Sequence, residues 1–421
     1  MPAAKRVDEY TIEVGVQADI ETAAVSLTAG DILPPDVSSI GRGEVEDPTT
    51  TIAGGARPTI PGVYYDEIAA PASMHARGQG SAVTGAPTLT AQDILVGACF
   101  QQAPDEMSGS TAEAGASVSA VSEADIGNHA PTAILGIPNS VVLAPFFVTS
   151  LGRTFLRPAT YSGGDFSLLV DLPGAPAEDD PIYGQANVQF NHNTFDSIPY
   201  PVEARYLGNA QIQNKQLIGA VAQLAIPEVS AGDVPQMDFT LQAGLGVLNL
   251  SDSRAAPTPR RGRVFAGGEL KLGVFGSAPS DICGTFSASF REGGFVPNTC
   301  PGKTYTIGGS TYDTGIDDWT PPKEAVMCQL TVPESVVPSD LTGGSGATWD
   351  EAWADYPTQR YHLLFTCGQG RAGSLVGLYY PDMILAMKPE RGATKDEVGA
   401  RTLTFKHYDS SSYAPCIYAG S

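Results

Sequence analysis

The chain has 421 residues, and its 24 basic and 46 acidic residues give a formal net charge of -22. Tight binding to nucleic acid is therefore not expected, because such binding depends on Lys and Arg side chains that neutralise phosphates. The 47 Gly and 33 Pro residues favour turns over long helices, and 42% apolar residues suffice for a core, so the composition predicts an all-β fold.

The acidic balance has two interpretations that composition does not separate. One is that the charge serves solubility, which is its commonest role on protein surfaces. The other is that it lines a surface along which DNA or another polyanion passes without adhering.

The first part of the chain alternates strand-like and long polar segments. Residues 10–17, YTIEVGVQ, alternate apolar and polar side chains as a half-buried strand does. Residues 31–61 are rich in Pro, Gly, Thr and Asp without strand or helix periodicity, which indicates a functional arm or a linker. Strand character returns in GVYYDEIAAPASMHARGQG, residues 62–80.

The segment PTLTAQDILVGACF, residues 87–100, predicts a short helix. Thr90 is the candidate N-cap and Asp93 stands in the first turn, where a carboxylate is favourable. Ile94, Leu95 and Ala98 would then lie on one apolar face.

A second polar stretch, residues 101–128, predicts a surface loop or insertion because Ala, Ser, Gly and Glu dominate it. From residue 133 to 250 strands follow one another, and antiparallel sheet is the economical account. These predicted strands are FFVTSLG (146–152), TFLRPATY (154–161), DFSLLVDL (165–172), ANVQFNH (186–192), EARYLGN (203–209), LIGAVAQLAIPEV (217–229) and MDFTLQAGL (237–245).

Residues 251–263, SDSRAAPTPRRGR, predict a boundary between two halves of the chain. The four arginines could contact phosphate, but a Pro-rich linker with solvated arginines is the simpler interpretation. A short helix fits ATWDEAWADY (347–356), and the predicted strands of this half are VFAGGELKLGVF (264–275), TFSASF (285–290), AVMCQLTVPE (325–334), YHLLFTC (361–367), SLVGLYY (374–380), MILAMKP (383–389) and ARTLTFKHY (400–408).

The stretch CGQGRAG contains Gly368, Gly370 and Gly373 in the spacing G-x-G-x-x-G of dinucleotide-binding loops. That spacing binds pyrophosphate only where it closes a strand and opens a helix. The segment that follows, SLVGLYYPDMILAM, has β-branched and aromatic residues and a Pro, so we predict the turn of a β-hairpin and no dinucleotide site.

No catalytic, cofactor or metal site is predicted. The five histidines show none of the spacings that place two imidazoles on one metal ion. They are His75, His129, His192, His362 and His407.

Two carboxylate clusters could in principle supply the acid and base of a glycosidase: AEDD (177–180) and IDDW (316–319). Both lie beside prolines, where carboxylates are mostly solvated, so catalysis there is not predicted. Trp319, Trp349 and Trp353 could serve as stacking platforms for a sugar, although a core or interface role is expected more often.

The six cysteines contain no C-x-x-C pair, which argues against structural zinc. We expect buried thiols, and Cys283 with Cys300 could close a loop in an oxidising environment. The N-terminus has no apolar signal segment, and the most apolar region, residues 131–152, is broken by Pro138 and Pro145. Neither a secretory signal nor a membrane span is predicted.

The order of segments resembles that of the tail tube proteins of long-tailed (siphovirus-type) bacteriophages. The N-terminal resemblance lies in IEVGVQ, a long loop, ARPTIPGVYYDEIAAPASMHARGQGS and a short helix that ends in Ala-Cys-Phe. The C-terminal resemblance lies in a Trp-containing helix, LLFTCGQGRAGSLVGLYYPDMIL and ARTLTFKHY. A hairpin in the middle, residues 217–245, is similar to that family's hairpin at Ala231, Gly232, Asp233, Pro235, Phe239, Thr240 and Gly244.

The resemblance implies β-sandwich or small barrel domains, each flanked by a helix, whose inner strands join a continuous β-barrel between subunits. Because single-domain members are much shorter, we predict two tube domains per chain. The first would span 1–250 with an inter-ring loop at 31–61 and an insertion at 101–128, and the second would span 264–421 with an insertion at 281–319 that decorates the outside.

The implied function is structural, without enzymatic activity. Stacked rings would form the hollow tail tube of a virion, assembled in the host bacterial cytoplasm, that conducts DNA from capsid to host. The implied partners are the protein itself, in trimeric two-domain rings or alternatively hexameric rings, and the tape measure, tail tip and tail terminator proteins. Viral DNA would pass without specific binding, and no membrane or cofactor is involved.

Two alternatives remain open. One is another virion structural protein, such as a decoration or tail-tip protein. The other is an extracellular β-sandwich that binds polysaccharide through its tryptophans.

Overall fold

The computed structural model of the chain describes residues 11–23, 39–44, 64–73, 89–107, 110–111, 123–125, 141–162, 165–177, 179–191, 198–207, 215–248, 268–307, 309–322, 326–355, 358–368, 370, 375–392, 399–408 and 413–418. The predicted linker at 251–263 lies outside these residues, as does most of the predicted inter-ring loop at 31–61.

The strands up to the predicted linker include two long ones that form a hairpin. In chain order they are β1 (Thr11–Val16), β2 (Ser39–Glu44), β3 (Tyr64–Ser73), β4 (Asp105–Met107), β5 (Ser110–Thr111), β6 (Glu123–Asp125), β7 (Val141–Val148), β8 (Arg153–Ser162), β9 (Asp165–Leu168), β10 (Pro181–Ile182), β11 (Gln185–Gln189), β12 (Val202–Leu207), β13 (Lys215–Val229) and β14 (Gln236–Leu248).

The strands after the predicted linker are mostly shorter. In chain order they are β15 (Leu270–Val274), β16 (Ser280–Asp281), β17 (Thr285–Phe290), β18 (Val296–Thr299), β19 (Thr304–Ile307), β20 (Ser310–Asp313), β21 (Ile316–Thr320), β22 (Val326–Pro333), β23 (Tyr361–Gly368), β24 (Leu375–Leu385), β25 (Glu390–Gly392), β26 (Ala400–His407) and β27 (Cys416–Tyr418).

The predicted all-β class and antiparallel pairing are confirmed. A 17-stranded antiparallel sheet contains most strands, and a 6-stranded sheet has the order β5-β10-β7-β8-β9-β6. Two separate hairpin-like pairs, β18 with β21 and β19 with β20, complete the described strands. Every strand segment predicted after residue 133 contains or overlaps a strand.

The long strand β13 joins the two segments predicted as separate domains. One of its edges pairs with β14, while the other pairs with β12 along its first half and with β17 along its second half. Strands before residue 250 and after residue 264 therefore share one sheet and one apolar core cluster. The two-domain division stays a prediction, and the structure adds that the two segments pack as neighbours.

The predicted helix is confirmed as α1 (Ala91–Phe100). Thr90 and Asp93 form a capping box, in which each side chain accepts a hydrogen bond from the other residue's backbone N–H. All ten helical residues are buried, so the single apolar face expected from the sequence underestimates how deeply α1 lies in the core. The main sheet and its loops cover the helix on all sides, which its small and apolar side chains permit.

The second predicted helix is confirmed as α2 (Trp349–Ala354), with Thr348 as its N-cap. The indole of Trp349 is buried in the main core and donates a hydrogen bond to the carbonyl of Val336 at 2.7 Å. A large buried ring with a satisfied N–H anchors this short helix to the sheet.

The hairpin predicted around the G-x-G-x-x-G stretch is confirmed by its two strands, while residues 369 and 371–374 lie outside the described residues. Strand β23 pairs antiparallel with β24 from Gly368–Leu375 down to Tyr361–Met383, and β24 continues through Pro381 without a helix. The carbonyl of Gly370 accepts a hydrogen bond from the backbone N–H of Thr154 at 2.7 Å. The connection thus holds β8 of the 6-stranded sheet against the main sheet.

An apolar cluster and one ion pair attach the 6-stranded sheet to the main sheet. Leu143 and Leu156 from the smaller sheet pack with Leu364 and Tyr379 from the main one. The guanidinium of Arg157, almost fully buried, makes two hydrogen bonds to the carboxylate of Glu269. Burial of a charged group of this size requires such a partner.

Two predicted insertions contribute more to the fold than their sequences indicate. In the described part of 101–128, β4 pairs with β11 in the main sheet, while β5 and β6 form the edges of the smaller sheet. In 281–319, strand β17 lies between β13 and β22 with Phe286 and Phe290 in the core, so this range is not external decoration throughout. The alternation T-F-S-A-S-F places its apolar side chains on the buried face.

Candidate assembly surface

Four antiparallel strands in the order β2–β3–β14–β13 form the region that the family-like hairpin occupies. Strand β3 pairs with β14 over eight residue pairs, from Ser73–Gln236 to Asp66–Ala243. Strand β2 pairs with β3 and, within the described part of the chain, with no other strand. The absence of periodicity in residues 31–61 failed to predict β2, which runs from Ser39 to Glu44. Its outer edge leaves backbone N–H and C=O groups for another strand.

The seven family-like residues follow the turn and second strand of the β13–β14 hairpin. Gly232 has φ of 91°, a conformation that favours glycine, and Asp233 accepts a hydrogen bond from the N–H of Ser230 at 2.8 Å. Phe239 is buried in the core, whereas Thr240 lies on the opposite face of β14. Ala231 is exposed at the turn, Pro235 is buried before β14, and Gly244 is buried within it.

In both strands of the hairpin, the alternation of side chains between the two faces of the sheet shifts by one residue at the same level. Along β13, Leu217 and Ala220 belong to the main core although three positions separate them, and Ile218 and Val221 belong to a cluster on the other face. Gly219 interrupts the alternation there with φ of 64°. Because Ile218 pairs with Leu245 and Ala220 pairs with Ala243, Gly219 and Gly244 stand opposite each other, and the register is kept.

A small structure that we call the cap covers the outer face at this level; it comprises strands β18 to β21 and their connections. The Tyr305 ring lies on the two glycines, since a Cβ on Gly244 would come within 2.6 Å of its hydroxyl oxygen. The indole of Trp319 is fully buried and donates a hydrogen bond to the carbonyl of Gly219 at 3.1 Å. Glycine at both positions therefore makes room for the cap.

Beyond the cap, the same face of the hairpin is partly exposed in the described part of the chain. We call this the open face, and its described side chains are Glu67, Ala69, Gln223, Ala225, Asp238 and Thr240, none of them buried. The described residues 65–69, 223–229 and 236–243 contain no Lys or Arg. Burial raises the pKa of Asp238, because its carboxylate is partly removed from water. The open face is thus a small, polar and acidic surface.

Two of the carboxylates considered for catalysis accept hydrogen bonds from backbone N–H groups. Asp180 is buried and accepts hydrogen bonds from the N–H groups of Thr149 at 3.0 Å and Ala177 at 2.7 Å. Asp318 accepts from the N–H groups of Ile198 at 3.1 Å and Trp319 at 2.8 Å. Burial raises the pKa of Asp318 above its ordinary value, and the hydrogen bonds from these two donors offset part of that rise. Both carboxylates fix loops, which their sequence position beside prolines does not reveal.

Among the predicted structural histidines, His362 and His407 lie in the described part of the chain and are buried. A ring nitrogen of His362 lies 2.9 Å from the Tyr379 hydroxyl, and burial lowers the pKa of His362 to about 4. In the described residues no three His, Cys, Asp or Glu side chains are grouped as metal ligands would be. His75, His129 and His192 lie outside those residues.

Two of the three tryptophans considered as sugar platforms have no accessible ring face. Trp319 and Trp349 are 0% and 1% exposed, so a platform role for these two is wrong, and Trp353 is partly buried against the main core. Stacking on a sugar requires an accessible ring face.

The cysteines divide into two groups. Cys99, Cys328, Cys367 and Cys416 are buried as expected, and burial raises the pKa of each thiol. Cys283 and Cys300 are exposed and free. Cys283 precedes β17, which pairs with the Val229 end of β13, and Cys300 belongs to the cap.

No protein-family model and no curated protein matches this chain. In the described residues no helix is long and apolar enough to cross a membrane.

Sequence reasoning missed the residues that organise this surface. Gly219 stands in an apolar strand pattern, where an isolated Gly is a recognisable signal for a bulge or a close approach. Tyr305, Lys303 and Trp319 gave no comparable signal, because their role depends on contacts with residues about 60 or more positions away.

Proposed function

We propose that the protein is a structural subunit of a bacteriophage tail tube, a virion component that polymerises as stacked rings and conducts DNA from capsid to host. The observation that carries the proposal is the β2–β3–β14–β13 sheet, with an unpaired β2 edge in the described residues and an acidic open face. The sequence resemblance of the hairpin to tail tube proteins supports the same function.

Assembly would proceed through backbone pairing at the sheet edge. A strand of a second copy that adds to β2 would satisfy its free N–H and C=O groups and extend the sheet. When the last copy pairs with the first, the ring has no exposed edge, which removes the tendency to aggregate.

Transport of DNA would depend on the absence of adhesion. Each phosphate would meet carboxylates and small neutral side chains on the open face instead of Lys or Arg, in keeping with the net charge of -22. The tape measure, tail tip and tail terminator proteins are the further partners of this proposal. The ring contains three chains if each supplies two tube domains and six if each supplies one.

Electron microscopy of the purified protein across a concentration series, with and without tail tips as initiators, tests the proposal. We expect hollow tubes, and averaged rings with threefold or sixfold symmetry distinguish the two ring compositions. Caps or closed shells in place of hollow tubes would favour the alternative of another virion structural protein. A protein that stays monomeric even with tail tips would overturn the tail tube proposal.

A pair of neighbouring substitutions tests the β2 edge within the same experiment. Gly41→Pro and Arg42→Pro each remove one backbone N–H, and because successive N–H groups of a strand point to opposite edges, only one of the two faces away from β3. We expect the variant that loses the outward N–H to keep its folded stability and to stop polymerising. If both variants polymerise as the wild type does, β2 is not the assembly edge.

A further inference from the structure

The chain after β1 makes a compact turn against β13. Gln17 accepts a hydrogen bond from the N–H of Gly219 at 2.8 Å and donates one to the carbonyl of Thr22 at 2.6 Å. Asp19 accepts from the N–H groups of Glu21 at 2.9 Å and Thr22 at 2.7 Å. These bonds close residues 17–22 into one folded unit.

The cap covers this turn from the other side. Thr22 forms a parallel bridge with Thr306, whose N–H donates to the carbonyl of Glu21 at 3.3 Å. Lys303 places its ammonium group 2.5 Å from Glu21 and 2.6 Å from Asp317 of the cap itself. Ile20 is buried in the same apolar cluster as Tyr305.

The cap also touches the strand at the far end of the long loop. Tyr65 on β3 meets the Trp319 indole edge-to-face, with ring centroids 5.8 Å apart. Residues 17–22 come before the segment that carries β2, and Tyr65 lies at the start of β3 after it, so the cap contacts the chain on both sides of that segment.

We propose that the cap is a clamp that determines where the long loop leaves and re-enters the sheet and thereby positions the edge strand β2 for pairing with a second copy of this chain. Lys303 is the positioning residue, because its ammonium group joins the turn at residues 17–22 to the cap. The inference rests on the proposed function for its consequence in assembly, while the clamp itself concerns the single chain.

Lys303→Gln tests the clamp, with Lys271→Gln as a matched control. Lys271 also bridges two carboxylates, Glu269 at 3.7 Å and Asp281 at 2.7 Å, but lies on β15 away from the loop. Three quantities are measured: the melting temperature, hydrogen exchange of residues 17–22, and the rate of tube elongation from tail tips.

For Lys303→Gln we expect an unchanged melting temperature, exchange of residues 17–22 faster by about three- to tenfold, and slower elongation, because two partly exposed ion pairs are lost. Lys271→Gln should leave exchange and elongation unchanged, and Lys303→Arg should restore both.

Unchanged exchange in Lys303→Gln would overturn the clamp, and equal slowing of elongation by both lysine variants would overturn its role in assembly. If the wild type forms no tubes with any initiator, the proposed function fails, and the exchange result alone still accepts or rejects the clamp.

Discussion

At the residue scale, two glycines show which part of a glycine requirement comes from the backbone dihedral angle and which part comes from close packing. Gly219 and Gly232 both have positive φ, at 64° and 91°. A Cβ on Gly219 would come within 2.7 Å of the carbonyl oxygen of Ile20, whereas a Cβ on Gly232 would have no heavy atom within 4 Å. Any L side chain is strained at both positions, but only Gly219 adds a collision with backbone.

We therefore expect Gly219→Ala to lower the free energy of unfolding by at least about 2 kcal/mol more than Gly232→Ala does. The reason is that the added methyl group overpacks against fixed backbone, which lowers stability. Urea denaturation of both variants measures the difference. Equal losses would show that the backbone at Ile20 shifts without a loss of stability and that Gly219 is needed only for its dihedral angle.

His362 links the stability of the fold to pH. Its pKa is about 4 in the folded chain because burial disfavours the charged ring, partly offset by a backbone hydrogen bond with Ser277, and its ordinary value is about 6.5. The unfolded state therefore binds more protons between these values. Stability from this group is complete above about pH 6.5 and is lost as the pH falls towards 4.

Between pH 7.5 and pH 5 we expect the wild type to lose about 2 kcal/mol more than His362→Gln does, a difference from which the common contribution of the carboxylates cancels. Urea denaturation at the two pH values gives the four free energies needed. The same loss in both proteins would mean that His362 is not responsible.

At the scale of elements, one largely buried ion pair contributes to the attachment of the 6-stranded sheet. The side chain of Arg157 is 1% exposed and that of Glu269 is 28% exposed. Arg157 also donates to the carbonyls of Leu156 at 2.9 Å and Asp171 at 2.8 Å. Its removal leaves a carboxylate and two carbonyls without their donor.

Arg157→Met should lower the free energy of unfolding by about 3 kcal/mol. Arg391→Met is the matched control, because Arg391 binds Glu334 at 3.0 Å with its side chain 70% exposed, and we expect a change within about 0.5 kcal/mol. Calorimetry of both variants measures the effect. Similar changes would mean that the apolar cluster alone attaches the smaller sheet.

Local sequence patterns predicted which helices and strands form, but they did not predict what packs around those elements. Thr90 and Asp93 mark the start of α1 because a capping box is a contact between neighbours in sequence. The hairpin of β23 and β24 follows from two apolar segments around a Gly-rich turn. The burial of α1 on every side, and the strands within residues 101–128, depend on distant partners that no local pattern contains.

At the scale of the whole molecule, the charge of the open face determines how an assembled tube treats DNA. Asp238→Lys introduces a cation there, and Asp355→Lys introduces one at the exposed end of α2. We expect wild-type tubes to retain no DNA at about 0.1 M salt, where phosphate contacts dominate affinity. Asp238→Lys tubes should retain DNA that is protected from nuclease.

The control decides where the DNA lies in this experiment. Asp355→Lys changes the net charge by the same amount and should not give nuclease-protected DNA. Co-sedimentation with labelled DNA, before and after nuclease treatment, measures both. Equal protection in the two variants would contradict the assignment of the open face to the path of DNA.

The amino-acid sequence was sufficient for the all-β class, both helices and the β13–β14 hairpin, because each depends on side-chain alternation, capping or turn residues within about 30 positions. The seating of Tyr305 and Trp319 on Gly219 and Gly244, and the pairing of β13 with strands from both segments, emerged only from the tertiary structure. These contacts join residues far apart in the chain, and their energies come from shape and burial that sequence spacing does not encode.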